Sequence, residues 1–216
     1  MAPQDARPGN ARQDGPPEKA PMLTDDAAFP FWRFSLALYG RPGVPELCVG
    51  LQDTHGVDVN VLFCLLHRAR AGAALEAAEI ARLDAAVAPW RSGVVQPLRR
   101  ARRALKSPEM AALANDGEAL RNRVKAAELQ AEKHQQRALE RIGAGLGRDG
   151  GTDPDSATRA VWAAYATHLG RDLPGDALER LLAALAEVEA EAASGSRTGT
   201  GVDQKPATDT VTGRPS

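Results

Sequence analysis

Between Phe31 and Ala193 apolar side chains recur every three or four positions, and no stretch alternates apolar with polar residues long enough to support a sheet. Alanine, leucine, arginine and glutamate dominate this region and β-branched residues are sparse, so the expected fold is all-α, a small multi-helix bundle. Chain breakers divide it. A first helix is predicted from about Phe31 to Tyr39, stopped by Gly40 with Pro42 beyond. A second starts near Val44, where Pro45 suits the first turn, and ends at Gly56. Asp58 is placed to cap a third, Val59 to about Ala71. Helices over Leu75 to Ala88, Trp90 to Leu105 and Pro108 to Ile142 follow, the last broken or kinked near Asn115 to Gly117. The glycines of GAGLGRDGGTDP, Gly143 to Pro154, mark a linker.

Two further helices are predicted after the linker, about Asp155 to Leu169 and Gly175 to Ala193. Val161, Trp162, Tyr165 and Leu169 share a face of the first, and Leu178, Leu181, Leu182, Leu185 and Val188 share a face of the second. Two such stripes can close as a C-terminal helical hairpin, but one too small to be stable alone, so it is expected to dock on the preceding bundle. The expected organisation is a helical core over 28–146, the hairpin over 153–193, and disordered tails over 1–27 and 194–216. The first tail holds five prolines and no aromatic, and the second is rich in Gly, Thr, Pro and Ser. In the long helix the register through Leu120, Val124, Ala127 and Ala131 runs into His134 and Arg141. That heptad is too poor for a coiled-coil dimer and favours an antiparallel partner within the chain.

Composition narrows the function classes. The net charge of −1 in 216 residues gives no global reason for a nucleic-acid or membrane partner. No apolar run reaches the roughly 18 residues of a membrane span, and none of signal-peptide length precedes Phe29. Two cysteines are too few for a disulfide scaffold. Together these lead to the expectation of a cytoplasmic protein.

The stretch LQDTHGVDVNVLFCLLHRAR, Leu51 to Arg70, gathers acids, histidines and a cysteine around a glycine turn. At 100° per residue Val59, Val61, Leu62, Phe63, Leu65 and Leu66 cover most of the third helix, which should therefore be buried on most sides. A DNA-recognition helix must present polar side chains to base edges, and these cannot. The polar exception is Asn60, Cys64 and His67, expected to form a seam with solvent or with polar groups of a neighbour. Adding Cys48 and His55 gives C-x6-H-x8-C-x2-H, which matches no familiar zinc module, and Cys48 lies beside Leu47 and Leu51 on the expected core face. Cys64 in mid-helix has no helix N-terminus to activate it, so a thiol nucleophile with His67 as base is not supported either. No metal and no cofactor is expected.

The run FWRFSLALYGRPGVPELCVGLQDTHGVDVNVLFCLL, followed by APWRSGVVQPLRRARRALK, resembles the bacterial proteins grouped as the domain of unknown function 2390 family. The resemblance covers about Phe31 to Leu146. It implies a small cytoplasmic helical protein with no established activity, hence no catalytic residues to carry over. On this view the N-terminal tail and the hairpin after Asp153 are additions to the family core.

Chemistry is concentrated in WRSGVVQPLRRARRALK. Val94, Leu98, Ala101 and Leu105 fall at i, i+4, i+7 and i+11, with Arg99, Arg100, Arg102, Arg103 and Lys106 on the opposite arc. With Arg91 that makes six positive charges and no acid between Trp90 and Ser107. The preferred reading is a polar helix face whose arginines pair with acids such as Glu118, Glu128 or Glu132 on neighbouring helices. Trp90, Arg99, Arg100, Arg103 and Lys106 are the candidate interaction residues. The leading expectation is a non-enzymatic interaction or adaptor module with a protein partner. Weak nucleic-acid binding through 91–106 is the alternative, disfavoured because no aromatic platform is interleaved among the arginines. No phosphate-binding glycine loop, metal set or positioned nucleophile suggests an enzyme.

Overall fold

The computed structural model describes residues 29–113, 116–147 and 151–197. These residues form helices and no strand, an all-α bundle. In order they are α1 (Pro30–Tyr39), α2 (Val44–His55), α3 (Val59–Arg70), α4 (Ala77–Trp90), a π-helical turn (Arg91–Val95), α5 (Gln96–Ala104), α6 (Pro108–Leu113), α7 (Gly117–Gly143), α8 (Pro154–Leu169) and α9 (Gly175–Arg197). The expected tails fall outside the described residues, except that α9 continues through Ser194 to Arg197.

Local chemistry explains most boundaries. Gly56 ends α2 in the left-handed conformation at φ +70°, returning its N–H to the Gln52 carbonyl. Two residues later the Asp58 carboxylate accepts from the N–H groups of Asn60 and Val61, satisfying the open donors of α3. At the start of α4 the Glu79 carboxylate reaches back to the Glu76 N–H at 3.0 Å and also accepts from Gly147.

One expectation needs correction. The two helices expected over Leu75 to Ala88 and Trp90 to Leu105 are a single continuous run, from Ala77 to Ala104. Pro89 has no N–H to give and its ring crowds the preceding turn. Pro97 does the same two turns on, against the carbonyl of Gly93 inside the π-turn, and there the helix widens instead of ending. The Gln96 N–H reaches the Arg91 carbonyl five residues back, the signature of a π-turn.

One hydrophobic core joins α1 to α4 with α8 and α9. Seven consecutive residues of α3, Asn60 to Leu66, are buried, so α3 is the central helix, as its apolar circumference predicts. α8 lies against α3 and α4, and α9 against α1 and α2. The hairpin thus docks on the bundle and opens across it. Ion pairs edge this contact: Arg70 with Asp155 and Glu189, and Arg41 with Glu187 and Glu191. The expected antiparallel pairing of α7 within the chain is present. Glu79 meets Gly147, Trp90 meets Ala131 and Arg102 meets Glu128, so positions rise on one rod as they fall on the other.

Candidate docking groove and polar cleft

The interface between α3, the α4–α5 rod and α7 is polar, and Asp58 is its hub. While its Oδ1 caps α3, its Oδ2 accepts from Arg91 Nη1 at 3.0 Å and from Gln135 Nε2 at 2.7 Å. The Asp58 N–H donates to the Tyr165 hydroxyl at 3.0 Å. Arg91, at the first position of the π-turn, also pairs with Asp84, whose other oxygen lies 3.2 Å from His168 Nε2. Beside this network Gln136 donates to Asn60 Oδ1 at 2.8 Å.

A second network holds α5 to α7. Arg99 bonds Glu128, Glu132 and Gln52, and Arg102 bonds Glu128. Burial pushes the Glu128 carboxyl up, but hydrogen bonds from Arg102 and Arg99 outweigh it and hold the group below the ordinary glutamate range. Glu132 goes the other way. Its burial, with help from the neighbouring Glu128 and Asp58 carboxylates, exceeds the pull of Arg99 and raises it.

The preferred pairing of arginines to Glu128 and Glu132 is therefore found, whereas Glu118 pairs with Arg121 on its own helix. The expected apolar seat of α5 is not. No residue of α5 is buried, Ala101 is exposed, and Arg99 and Arg102 meet α7 instead of facing away from it. The physical reason is α7 itself. Its buried residues include Glu128, Lys133, Gln135 and Gln136, so the facing helix meets it through polar side chains.

Polar side chains bridge this interface without filling it, and two adjoining cavities result. A cleft of about 500 Å³ lies between the α2–α3 turn, the π-turn, α5, Gln135 and α8. A groove of about 390 Å³ lies between α1, α2, α5 and α7. Gln52, Asn60, Arg99 and Arg103 line both, so Arg99, with its carboxylates, belongs to the shared wall.

The groove is the more apolar of the two. Leu36 and Tyr39 of α1, Val49 of α2 and Leu129 of α7 line it with their side chains exposed. Ser35 Oγ and Gln136 Oε1 are buried at this groove with no hydrogen-bond partner among the described residues.

Of the candidate interaction residues, Arg99, Arg100 and Arg103 line the cleft, and Arg99 and Arg103 also line the groove. Trp90 and Lys106 line neither. Trp90 is tied to the fold by its indole N–H, which donates to the Ala131 carbonyl at 2.9 Å. Lys106 and Arg100 are exposed and have no ion pair among the described residues, while Arg103 lies 3.4 Å from Asp53. The sequence did not single out Leu36, Tyr39, Val49, Leu129 or Gln135 as site residues. They come from separate helices, and the one available signal was the weak apolar pattern of α7.

The polar stripe of α3 is internal. Asn60 meets Gln136, His67 stacks on Phe31 with ring centroids 5.4 Å apart, and Cys64 is 2% exposed. Burial pushes the thiols of Cys64 and Cys48 up to about 12. No group of three or more His, Cys, Asp or Glu side chains is placed to hold a metal ion among the described residues. Among the same residues no helix is long and apolar enough to cross a membrane.

Fold and site together define a class: an all-helical protein with one apolar core and a polar seam that opens into two cavities. Residues 30–139 match the family described as Protein of unknown function (DUF2390), and the chain, more than half of it matched, belongs to that family. No curated protein and no solved structure matches it. The groove lies wholly within the matched residues, while the cleft is completed by Tyr165 and Leu169 from α8, beyond them.

Proposed function

We propose that this chain is a non-enzymatic docking module of the cytoplasm, and that its groove seats an amphipathic, acidic-flanked helix of a partner protein. One observation carries the reading. Of the seven large apolar side chains exposed among the described residues, four, Leu36, Tyr39, Val49 and Leu129, line this one groove. Single exposed apolar residues are ordinary, but a cluster from three helices is the kind of surface that an apolar helix face covers. The charge around it fits an acidic partner. Arg99, Arg102, Arg103 and Lys125 line the groove with Glu128 and Glu132, an excess of two positive charges, one of which, Arg103, also lies 3.4 Å from Asp53 outside the groove wall. Ser35 and Gln136 add two buried polar atoms that a docked segment can satisfy.

A non-enzymatic role is supported by the state of the reactive groups. The cysteines are buried with raised thiols, poor nucleophiles, and the Asp58 and Asp84 carboxylates are committed to Arg91 and their other partners. The alternative, nucleic-acid binding by the arginine helix, is weakened because Arg91, Arg99 and Arg102 are already neutralised by acids.

The test is affinity purification from the native host with wild-type chain and the Leu36→Asp/Leu129→Asp variant, followed by mapping of the captured protein's contact by cross-linking. The expected result is a partner lost in the variant whose cross-links run from groove residues to an acidic amphipathic segment. Tight duplex binding at physiological salt would overturn the reading in favour of nucleic acid. It would have to be lost in Arg100→Glu/Lys106→Glu, with log affinity falling by about 0.9 per phosphate neutralised for each log unit of salt.

A further inference from the structure

We infer that the polar cleft is a second binding site, for a small molecule with an anionic oxygen group, phosphate or carboxylate, at one end and an N–H or O–H donor at the other. The inference goes beyond the docking groove and rests on which cleft groups already have partners.

Most do. The Asp58 carboxylate is occupied on both oxygens, Arg91 lies between Asp58 and Asp84, and Arg99 is held by Glu128, Glu132 and Gln52. On the cleft wall Asp58 and Asp84 balance Arg91 and Arg99, so this fixed frame offers a ligand no net charge there.

Of the other lining groups, which include Gln96 and the Asp53 carboxylate beside Arg103, two places suit a ligand. Arg100 has no acid within ion-pair reach among the described residues, and Arg103 has only the loose contact to Asp53 at 3.4 Å. The two are three residues apart on α5 and therefore neighbours on one face, both lining the cleft. Paired guanidinium forks suit one multi-oxygen anion, because each can give two parallel hydrogen bonds.

The other place is Gln135, 1% exposed. Its amide nitrogen must face Asp58, which only accepts, and the bond at 2.7 Å fixes it there. The carbonyl Oε1 is thereby turned away from Asp58, and it is buried with no donor. A buried acceptor without a partner is uncommon in folded proteins and is satisfied by any ligand that brings an N–H or O–H.

Size and setting agree. About 500 Å³ falls within the roughly 300–1,000 Å³ of small-molecule sites. The π-turn supplies Arg91 and Val95 to the wall, and such turns occur frequently at functional sites. A duplex phosphate backbone could meet Arg100 and Arg103 from outside but could not reach the buried Gln135, which is why the ligand is a small molecule.

The experiment is an NMR titration of the full chain at constant ionic strength with four probes: glycerol phosphate against propyl phosphate, and glycerate against propionate. We expect saturable shifts that include the Gln135 side-chain amide, with the hydroxyl-bearing member of a pair binding at least threefold tighter. The pair that binds more tightly identifies the head group as phosphate or carboxylate. Arg100→Ala/Arg103→Ala, at exposed positions, should weaken binding at least tenfold with the melting temperature unchanged, and Arg100→Lys/Arg103→Lys should restore only part. Shifts that never saturate, or that are the same in the alanine variant, would overturn the site. Equal binding of the paired probes would overturn the two-ended assignment, and duplex DNA that shifts the Gln135 side-chain amide as the probes do would overturn the small-molecule one.

Discussion

α3 is buried on most sides and α7 on one face, and the two bury their residues by different means. α3 buries Val61, Leu62, Phe63, Cys64, Leu65, Leu66 and Ala69 with a single polar residue, Asn60. α7 buries Ala131, Leu139 and Gly143 beside four polar or charged residues, Glu128, Lys133, Gln135 and Gln136. Apolar burial is non-directional, so side chains around α3 can fill space until little is left. Hydrogen bonds demand a distance and an angle, so side chains on α7 reach across to Asp58, Asn60, Arg99 and Arg102 and leave volume between the bridges. Both cavities open along that second kind of interface, and the α3 interior holds the molecule steady enough for the polar seam to keep its geometry.

The comparison is broken if α3 proves dispensable. Leu66→Ala, at a fully buried position, should cost about 2–5 kcal/mol in chemical denaturation. An unchanged midpoint would remove α3 from the core.

The polar side is sharpened by two glutamates one turn apart on α7. Glu128 is shared by two arginines, so Glu128→Gln should cost about 2–4 kcal/mol at pH 7 by leaving both under-compensated in a largely buried place. Glu132 has only Arg99, and its desolvation offsets that pairing, so Glu132→Gln should change stability by less than about 1 kcal/mol, of either sign. Their pH dependences run oppositely. The Glu128 carboxyl is depressed in the folded state. Its contribution is full above the unfolded glutamate pKa of about 4.3 and is lost as pH falls through the lower folded value. The Glu132 carboxyl is raised, so its contribution is full below about 4.3 and is lost as pH climbs through the higher folded value. Denaturation at pH 4, 5.5 and 7 should therefore show the Glu128→Gln deficit shrinking toward acid and Glu132→Gln gaining on wild type toward neutral pH. Parallel profiles would mean that the two carboxylates share one environment.

The same contrast explains what could be read from the chain. Helix ends at Tyr39, His55 and Leu169 follow from Gly40, Gly56 and Gly170, and the start at Val59 follows from Asp58, because capping is local chemistry. The apolar circumference of α3 was legible for the same reason. Continuity from Ala77 to Ala104 was not, since proline normally stops or kinks a helix and this run carries Pro89 and Pro97 on either side of its π-turn. Nor could sequence separate Arg99 from Arg100. Adjacent and chemically identical, they differ by one 100° step, which puts Arg99 among Glu128 and Glu132 and leaves Arg100 open to the cleft. That outcome depends on where α7 lies, a long-range fact. The groove had no local signature either, because its four exposed apolar residues come from three helices.

A single neutral hydrogen bond lies where the two kinds of packing meet, at Tyr165. Its ring is buried on α8 against the apolar core, and its hydroxyl, on the cleft wall, accepts from the Asp58 N–H at 3.0 Å. Tyr165→Phe keeps the ring and its apolar contacts and removes only the hydroxyl, whose other bond, to the Asp58 carbonyl, is long at 3.5 Å. If the core and the seam contribute separately, as the contrast between α3 and α7 implies, the cost is that of one neutral hydrogen bond, about 1 kcal/mol. The cost should also be constant between pH 5 and 9, because burial and the nearby Asp58 carboxylate push the phenol far above its ordinary range and keep it protonated throughout. Amide exchange supplies the local readout. The Asp58 N–H should exchange faster in the variant while the Leu65 and Leu66 amides keep their protection. A loss of several kcal/mol, with α3 protection falling too, would show that the Asp58 network supports the core as well as the cleft, and that the two regions fold as one cooperative unit.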